Sequence, residues 1–561
     1  MPLSRRSVAL LVLVFFTSIL NAPSARADAQ PAGYAELVKL FEGWRSFERP
    51  AMNSMLPDYS ARAMAAKADA LPEWQKRLAA VDVTGWPIEK INDYKLVQAE
   101  MNGFDFNLRV LRPWARDPAF YVSVWAVRSD CPLREGPLAY DAIDLYTYKF
   151  PLSQADQKTL TTRMEAIPAL LSEAKTNLKD SNARDLWVWG EQELRDQAAT
   201  LTSLEAGTLT VTTLEGSQHA DLNGTSPELQ AAVVSAHKAT DDFIEWLAKL
   251  APQKAGPSGV GKENYNWYEK NVHLIPFTWE DQVVLLHHEL ERAQAALRLE
   301  ELNNQNLPPL DPVTDAASYD KMSRARLDKF IKFITTKPII PDKPYIRGAL
   351  EPQLGHYVPE DKRIFFTRVT HREPMLLMSH EYHWIDLARM RDEPNPDPIR
   401  RVAPLSNIWD TRAEGFATAF EEIVMHAGLY DDNPRAKELV WMMLANRAAR
   451  GLAALYVQSN DFTLEQAGKF HSAWTPRGWA VAGDSLTTFE QLLYLRQPGY
   501  GASYVTGKIL FDRLMTEYSR QQEIAGKPFV MRDFMDRFNN EGMIPVPLME
   551  DEMIVKEARE P

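Results

Sequence analysis

From Tyr34 to about Leu250, apolar residues recur three and four positions apart, the spacing that gathers them on one face of a helix. Leu160, Met164, Ile167, Leu170 and Leu171 form one such stripe, and Leu229, Val233 and Ala236 another. Short Pro, Gly and Asn stretches interrupt the pattern, so this half reads as successive helices. Trp44, Trp74, Trp86, Trp187 and Trp189 fall inside it as candidate core rings. Residues 251–261, rich in Pro and Gly, mark a break. After the break, Thr278-Trp-Glu-Asp281 supplies the cap and third-position acid that start a helix, predicted to run to about Asn303. A further helix is predicted from Asp315 to Thr336. Residues 354–369 alone carry strand-like chemistry, two short runs around a polar turn, predicting a small β hairpin.

About 530 residues would remain after removal of a leader, more than one hydrophobic core usually serves. Two subdomains are therefore expected, at residues 28–250 and 251–561, in a mainly α fold with a central cleft. The leader is residues 1–27: Arg5 and Arg6 precede an apolar run from Val8 to Phe16, and Ala25-Arg-Ala27 has the small residues of a cleavage site. That run is shorter than the roughly 20 residues a membrane span needs, and no cysteine stands near residue 28 to take a lipid. The expected location is periplasmic or secreted, with no stable membrane anchor after cleavage. Losing residues 1–27 removes three arginines and no acid, taking the net charge from -13 to -16. So acidic a surface is a poor match for nucleic acid or anionic lipid, and no nucleic-acid partner is expected. Cys131 is the single cysteine, which excludes an internal disulfide; its simplest reading is a small buried apolar residue.

The densest chemistry is His380-Glu381-Tyr382-His383. A zinc-peptidase helix reads His-Glu-x-x-His, with two imidazoles on one face and a glutamate that activates water. Here Trp384 stands at the expected second position, and His383 comes one residue early. Three-residue spacing still leaves both rings on neighbouring faces, so His380 and His383 can reach one ion. Downstream, Glu414, Thr418 and Glu421 repeat along one face of a predicted helix, and a carboxylate there completes a two-histidine, one-glutamate set. Glu422 and His426, four apart on an adjacent face, are either outer partners of that set or a solvated pair. His356 and Tyr357 in the predicted hairpin either line the cleft or lie on the surface. His287, His288 and Glu289 imitate the motif, but Arg292 follows His288 by four, so they read as helix surface or core.

Several segments, in order, resemble the bacterial domain-of-unknown-function family 885. They are Gly261-Lys-Glu-Asn-Tyr265, the helix from Thr278, Gly355-His-Tyr-Val358, His380-Glu381, Glu414-Gly-Phe-Ala417 with Glu421, Pro498-Gly499 with Tyr504, and Gly507-Lys508. The closing run from Met531 to Pro545 completes the series. The resemblance spans roughly residues 250–550 and implies a zincin-like metallopeptidase architecture. It implies His380 as a metal ligand, Glu381 as general base, Glu414 as the remaining protein ligand and Tyr504 as a donor to the tetrahedral intermediate. The family continues its motif with Pro-Gly-His-His, where this chain has Trp384-Ile-Asp-Leu387. His383 or Asp386 must then supply the second ligand, and the helical spacing favours His383 unless the helix is bulged.

The resulting expectation is a Zn2+-dependent peptidase acting on short peptides, with Glu381 activating the water. The alternative is a binding protein that keeps the scaffold after losing a ligand, and a third reading is a metal-assisted hydrolase of a non-peptide amide.

Overall fold

A computed structural model describes residues 31–555 apart from residues 32, 54 and 135. The leader at residues 1–27 lies outside the described residues. The described chain is mainly helical, with three two-stranded sheets. Met52–Asn53 pairs antiparallel with Leu56–Pro57, Val124–Trp125 parallel with Ile143–Asp144, and Leu209–Thr212 antiparallel with Ser217–Ala220.

The local signals translate directly into helices. The stripe Leu160, Met164, Ile167, Leu170 and Leu171 is buried along Gln154–Asn177, whose first turn is closed by Ser153 Oγ accepting from Asp156 N. At Thr278, the Asp281 amide donates to the threonine hydroxyl and the Thr278 amide to the Asp281 carboxylate, a reciprocal cap that starts Trp279–Asn303. Asp315 caps Ala316–Thr336 through the Ser318 amide at 2.8 Å.

Residues 354–369 contain no strand. Leu354 to Pro359 run as irregular backbone, Glu360–Lys362 forms a short turn and Phe365–Thr370 a helix. Side chains take the backbone bonds that a hairpin ladder would have used. The Val358 amide donates to His371 Nε2 at 2.8 Å, and Arg363 donates to Val358 O and Val313 O. Pro359 has no amide to offer a partner strand.

The core divides unevenly. The larger cluster joins residues from helices Tyr34–Glu48, Ala61–Ala79 and Ile88–Phe106 to those after residue 260. The second gathers mainly residues between Trp114 and Ala251. At the centre of the larger cluster lie Asp410–His426 and Arg435–Gln458, buried on nearly every face, as helices in the interior of a large protein are. Tyr500–Ile524 crosses the first of these backbone against backbone. A Cβ on Gly415 would overlap the Cα of Gly507, and one on Gly507 would overlap the carbonyl of Thr411. Only glycine permits that approach, and it sets Tyr500 and Tyr504 beside Glu414.

Candidate metal centre

The helix Met375–His380 stops one residue short of the motif's glutamate, and Tyr382–Asp392 begins one residue after it. Glu381 is the joint, with φ -65° and ψ 15°; its amide still reaches Leu377 O, and its carbonyl receives Trp384 N in a tighter i to i+3 bond. This local overwinding turns two histidines three residues apart toward one point. Their ring centroids are 5.1 Å apart and their planes nearly perpendicular.

That point is Glu414, from the neighbouring Asp410–His426 helix. His383 Nε2 lies 3.1 Å from Glu414 Oε2 and His380 Nε2 lies 3.6 Å from the same oxygen. The three donor atoms fall within 4.8 Å of one another. Zinc bonds of 2.0–2.2 Å at tetrahedral angles put neighbouring donors about 3.3–3.6 Å apart, and the two histidine–carboxylate distances lie close to that edge. Behind His380, Nδ1 is 3.3 Å from Glu421 Oε1, close but out of line for a hydrogen bond. Glu421 is itself clamped at 2.7 Å by the buried Arg447. An imidazole backed by a carboxylate is the usual means of orienting a metal-binding histidine. The donor set and its backing fit a borderline-soft divalent ion such as Zn2+.

Without an ion the site is an imidazolium–carboxylate pair. Burial alone would lower His383, but Glu414 outweighs it and raises the ring to about 9. Burial alone would raise Glu414, but His383 and His380 hold its carboxyl well below the ordinary range. Glu381, half-buried at the joint, is pushed up to about 8, first by burial and then by Asp130, against a smaller opposing pull from His383.

Three groups not assigned to the site from sequence close the far side. Tyr500 Oη donates to Glu414 Oε1 at 2.5 Å. Cys131 Sγ lies 3.8 Å from that oxygen and 3.3 Å from the Tyr500 hydroxyl, and Asp130 beside it acts on both Glu381 and His383. Tyr500 had a signal, the Pro498-Gly499-Tyr500 turn, four residues before the tyrosine chosen from sequence. Asp130 and Cys131 had none, because a loop from the first half of the chain brings them across 283 residues to Glu414.

Of the remaining predicted residues, Tyr504 and Glu421 stand at the site and the others lie away from it. Tyr504 stacks on His380 with centroids 6.0 Å apart and carries the Arg450 guanidinium 4.3 Å over its ring. Glu421 stands behind His380. Asp386 is spent on Arg412 and Arg389, which leaves the second-donor position to His383. His356 lines an open cleft of 990 Å³ with Arg391, at the opposite end of helix Tyr382–Asp392 from His383. Tyr357 donates to Thr314 O. His426 is exposed near Trp441, and Glu422 pairs with Arg292 and Lys508 instead of with it. His287 meets the Tyr456 hydroxyl at 3.1 Å, and Glu289 pairs with Arg292.

A family model described as "Bacterial protein of unknown function (DUF885)" matches residues 43–338. The matched stretch ends before the motif at His380. Two solved structures share the fold. One is titled as a "putative lipoprotein of unknown function" from Shewanella oneidensis, at 14% identity and TM-score 0.65, over 93% of this chain and 100% of the other. The second is titled as a "putative lipoprotein" from Colwellia psychrerythraea, at 14% identity and TM-score 0.62, over 93% and 99%. No curated protein matches the chain in sequence. Among the described residues, no helix is long and apolar enough to cross a membrane.

Proposed function

The chain belongs to the family of bacterial proteins of unknown function DUF885, so its chemistry has to be read from its own residues, and we propose that it is a metal-dependent hydrolase of short peptides. The observation that carries this reading is the convergence of His380, His383 and Glu414 within 4.8 Å, with Glu421 behind His380. Zn2+ held by those three side chains would supply Lewis acidity toward a carbonyl oxygen and make a nearby water more acidic.

The protein's share of the reaction falls to Glu381. Its carboxylate takes one proton from the attacking water as the oxygen bonds to the carbonyl carbon, and passes that proton to the amine as the carbon–nitrogen bond breaks. Tyr500 fixes the orientation of Glu414, and Glu421 stands behind His380 as its carboxylate backing. Tyr504, stacked on His380, is the candidate donor to the developing oxyanion. The zincin-like architecture belongs to the same proposal, as does a periplasmic or secreted location. The latter rests on the leader-like residues 1–27 and on the fold shared with proteins titled as lipoproteins.

Glu381→Gln tests the reading, because the amide keeps the shape and cannot accept a proton. With a mixed short-peptide pool as substrate and mass spectrometry as readout, the variant should lose about a hundredfold to ten-thousandfold in rate while keeping its zinc. Equal cleavage by variant and wild type would make Glu381 structural and remove the mechanism.

A further inference from the structure

A second, partly open space lies at the seam between the two hydrophobic cores, and none of the metal-centre residues borders it. The cavity measures 240 Å³ and is walled by Tyr59, Phe104, Trp114, Phe120, Tyr140 and Tyr268. Tyr59, Trp114 and Phe120 belong to one core, Phe104 and Tyr268 to the other. Aromatic rings interleaved with polar side chains such as Asn107, Asn407 and Gln497 are the make-up of a small-molecule site.

The charged groups on its walls decide what it takes, and all but one are already engaged. Arg496 is paired with Asp117 at 2.6 Å and also donates to Pro137 O. Arg134 holds Asp144 and the Tyr146 hydroxyl, both at 3.1 Å. Lys67 donates to the carbonyls of Phe47 and Arg49. Glu100 accepts from Arg45, Trp44 and the Leu405 amide. Glu48, the last residue of helix Tyr34–Glu48, has no hydrogen bond or ion pair among the described residues. Burial raises its carboxyl and Glu100 adds to that, while Arg45, Lys67 and Arg49 oppose from beyond ion-pair distance.

We propose that this cavity is a binding site for a small organic monocation with an aromatic body, its ammonium on Glu48 and its ring among the six aromatic side chains. A ring of electron-rich faces attracts a cation as well as an arene, and the one carboxylate left unengaged among the described wall residues selects one positive charge. The site is independent of the metal chemistry. Two of its walls nevertheless run into the centre, at Pro498, two residues before Tyr500, and at Leu133, two residues after Cys131.

Isothermal titration of the full chain with tryptamine tests the assignment, with indole-3-propionate as the same ring bearing the opposite charge. Tryptamine should bind saturably at one site per chain, and the propionate at least about tenfold more weakly, since a hydrogen bond to a charged partner carries that much. Glu48→Gln should cost tryptamine about tenfold or more, and Met64→Trp, which fills the cavity from its wall, should block it. Unchanged melting temperatures would certify both variants as folded. His383→Ala should leave tryptamine binding untouched, which separates this site from the metal centre. Absence of saturable tryptamine binding, equal affinity in Glu48→Gln, or loss of binding in His383→Ala would each overturn the proposal.

Discussion

The Tyr500 hydroxyl and Glu414 Oε1 are 2.5 Å apart, while the other Glu414 oxygen faces both histidines. One carboxylate is thus held at both ends, and the hydroxyl decides which way the ligand oxygen points. Tyr500→Phe deletes that bond together with the hydroxyl's contact to Cys131 Sγ. Removing an outer partner of this kind typically costs about 10-fold to 100-fold in metal affinity, so competition with a chelator should show zinc weakened by that order. An affinity equal to wild type would detach Tyr500 from the site. At this scale the sequence was informative where chemistry is packed into one short segment. His380, Glu381 and His383 stood out in one short segment, helical spacing put Glu414 and Glu421 on one face, and the family resemblance pointed to Glu414 as the ligand. Asp130 and Cys131 were invisible because nothing in a residue's neighbours reveals a contact made 283 positions away.

Elements carry the centre through two features, a backbone crossing and a buried charge cluster. At the crossing, Gly507 stands 2.8 Å from the Gly415 Cα at the point where its Cβ would be. The obstacle is backbone, which cannot rotate away, so Gly507→Ala should destabilise the fold by about 1–3 kcal/mol or more. A lowered calorimetric melting temperature is the expected reading, and an unchanged one would mean the helices part freely. One turn before Glu414 on the same helix, Asp410 meets His273, which lies 2.9 Å from Glu269. Burial alone would lower His273, but Asp410 and Glu269 outweigh it and raise it to about 9. The folded state then keeps a proton that the unfolded chain releases above 6.5. The stabilisation is therefore complete below pH 6.5 and lost as pH climbs to 9. Melting temperature should fall across that window in the wild type and fall less in His273→Gln; parallel curves would refute the assignment. Helix starts such as Thr278 and Asp315 were readable because a cap is a local bargain among four residues. The hairpin expected at 354–369 was not, since its apolar alternation said nothing of Arg363 and His371 taking the backbone bonds.

On the scale of the molecule, the first half of the chain is more than an appendage to the second. Helices between Tyr34 and Phe106 complete the core that surrounds the centre, and the loop bearing Asp130 and Cys131 closes over it. The break read at 251–261 marks a change of composition, while burial follows a different line because helices pack by the shape of their apolar faces regardless of order in the chain. The family match over 43–338 and the motif at 380–421 therefore describe two parts of one packed body. Everything proposed for catalysis depends on whether that body holds an ion between His380, His383 and Glu414. Elemental analysis of the purified chain after zinc loading and removal of excess measures this most directly. The account predicts one zinc per chain in the wild type and in Glu381→Gln, and loss of it in His383→Ala and Glu414→Ala; a folded wild type that stays metal-free when zinc is supplied would contradict it.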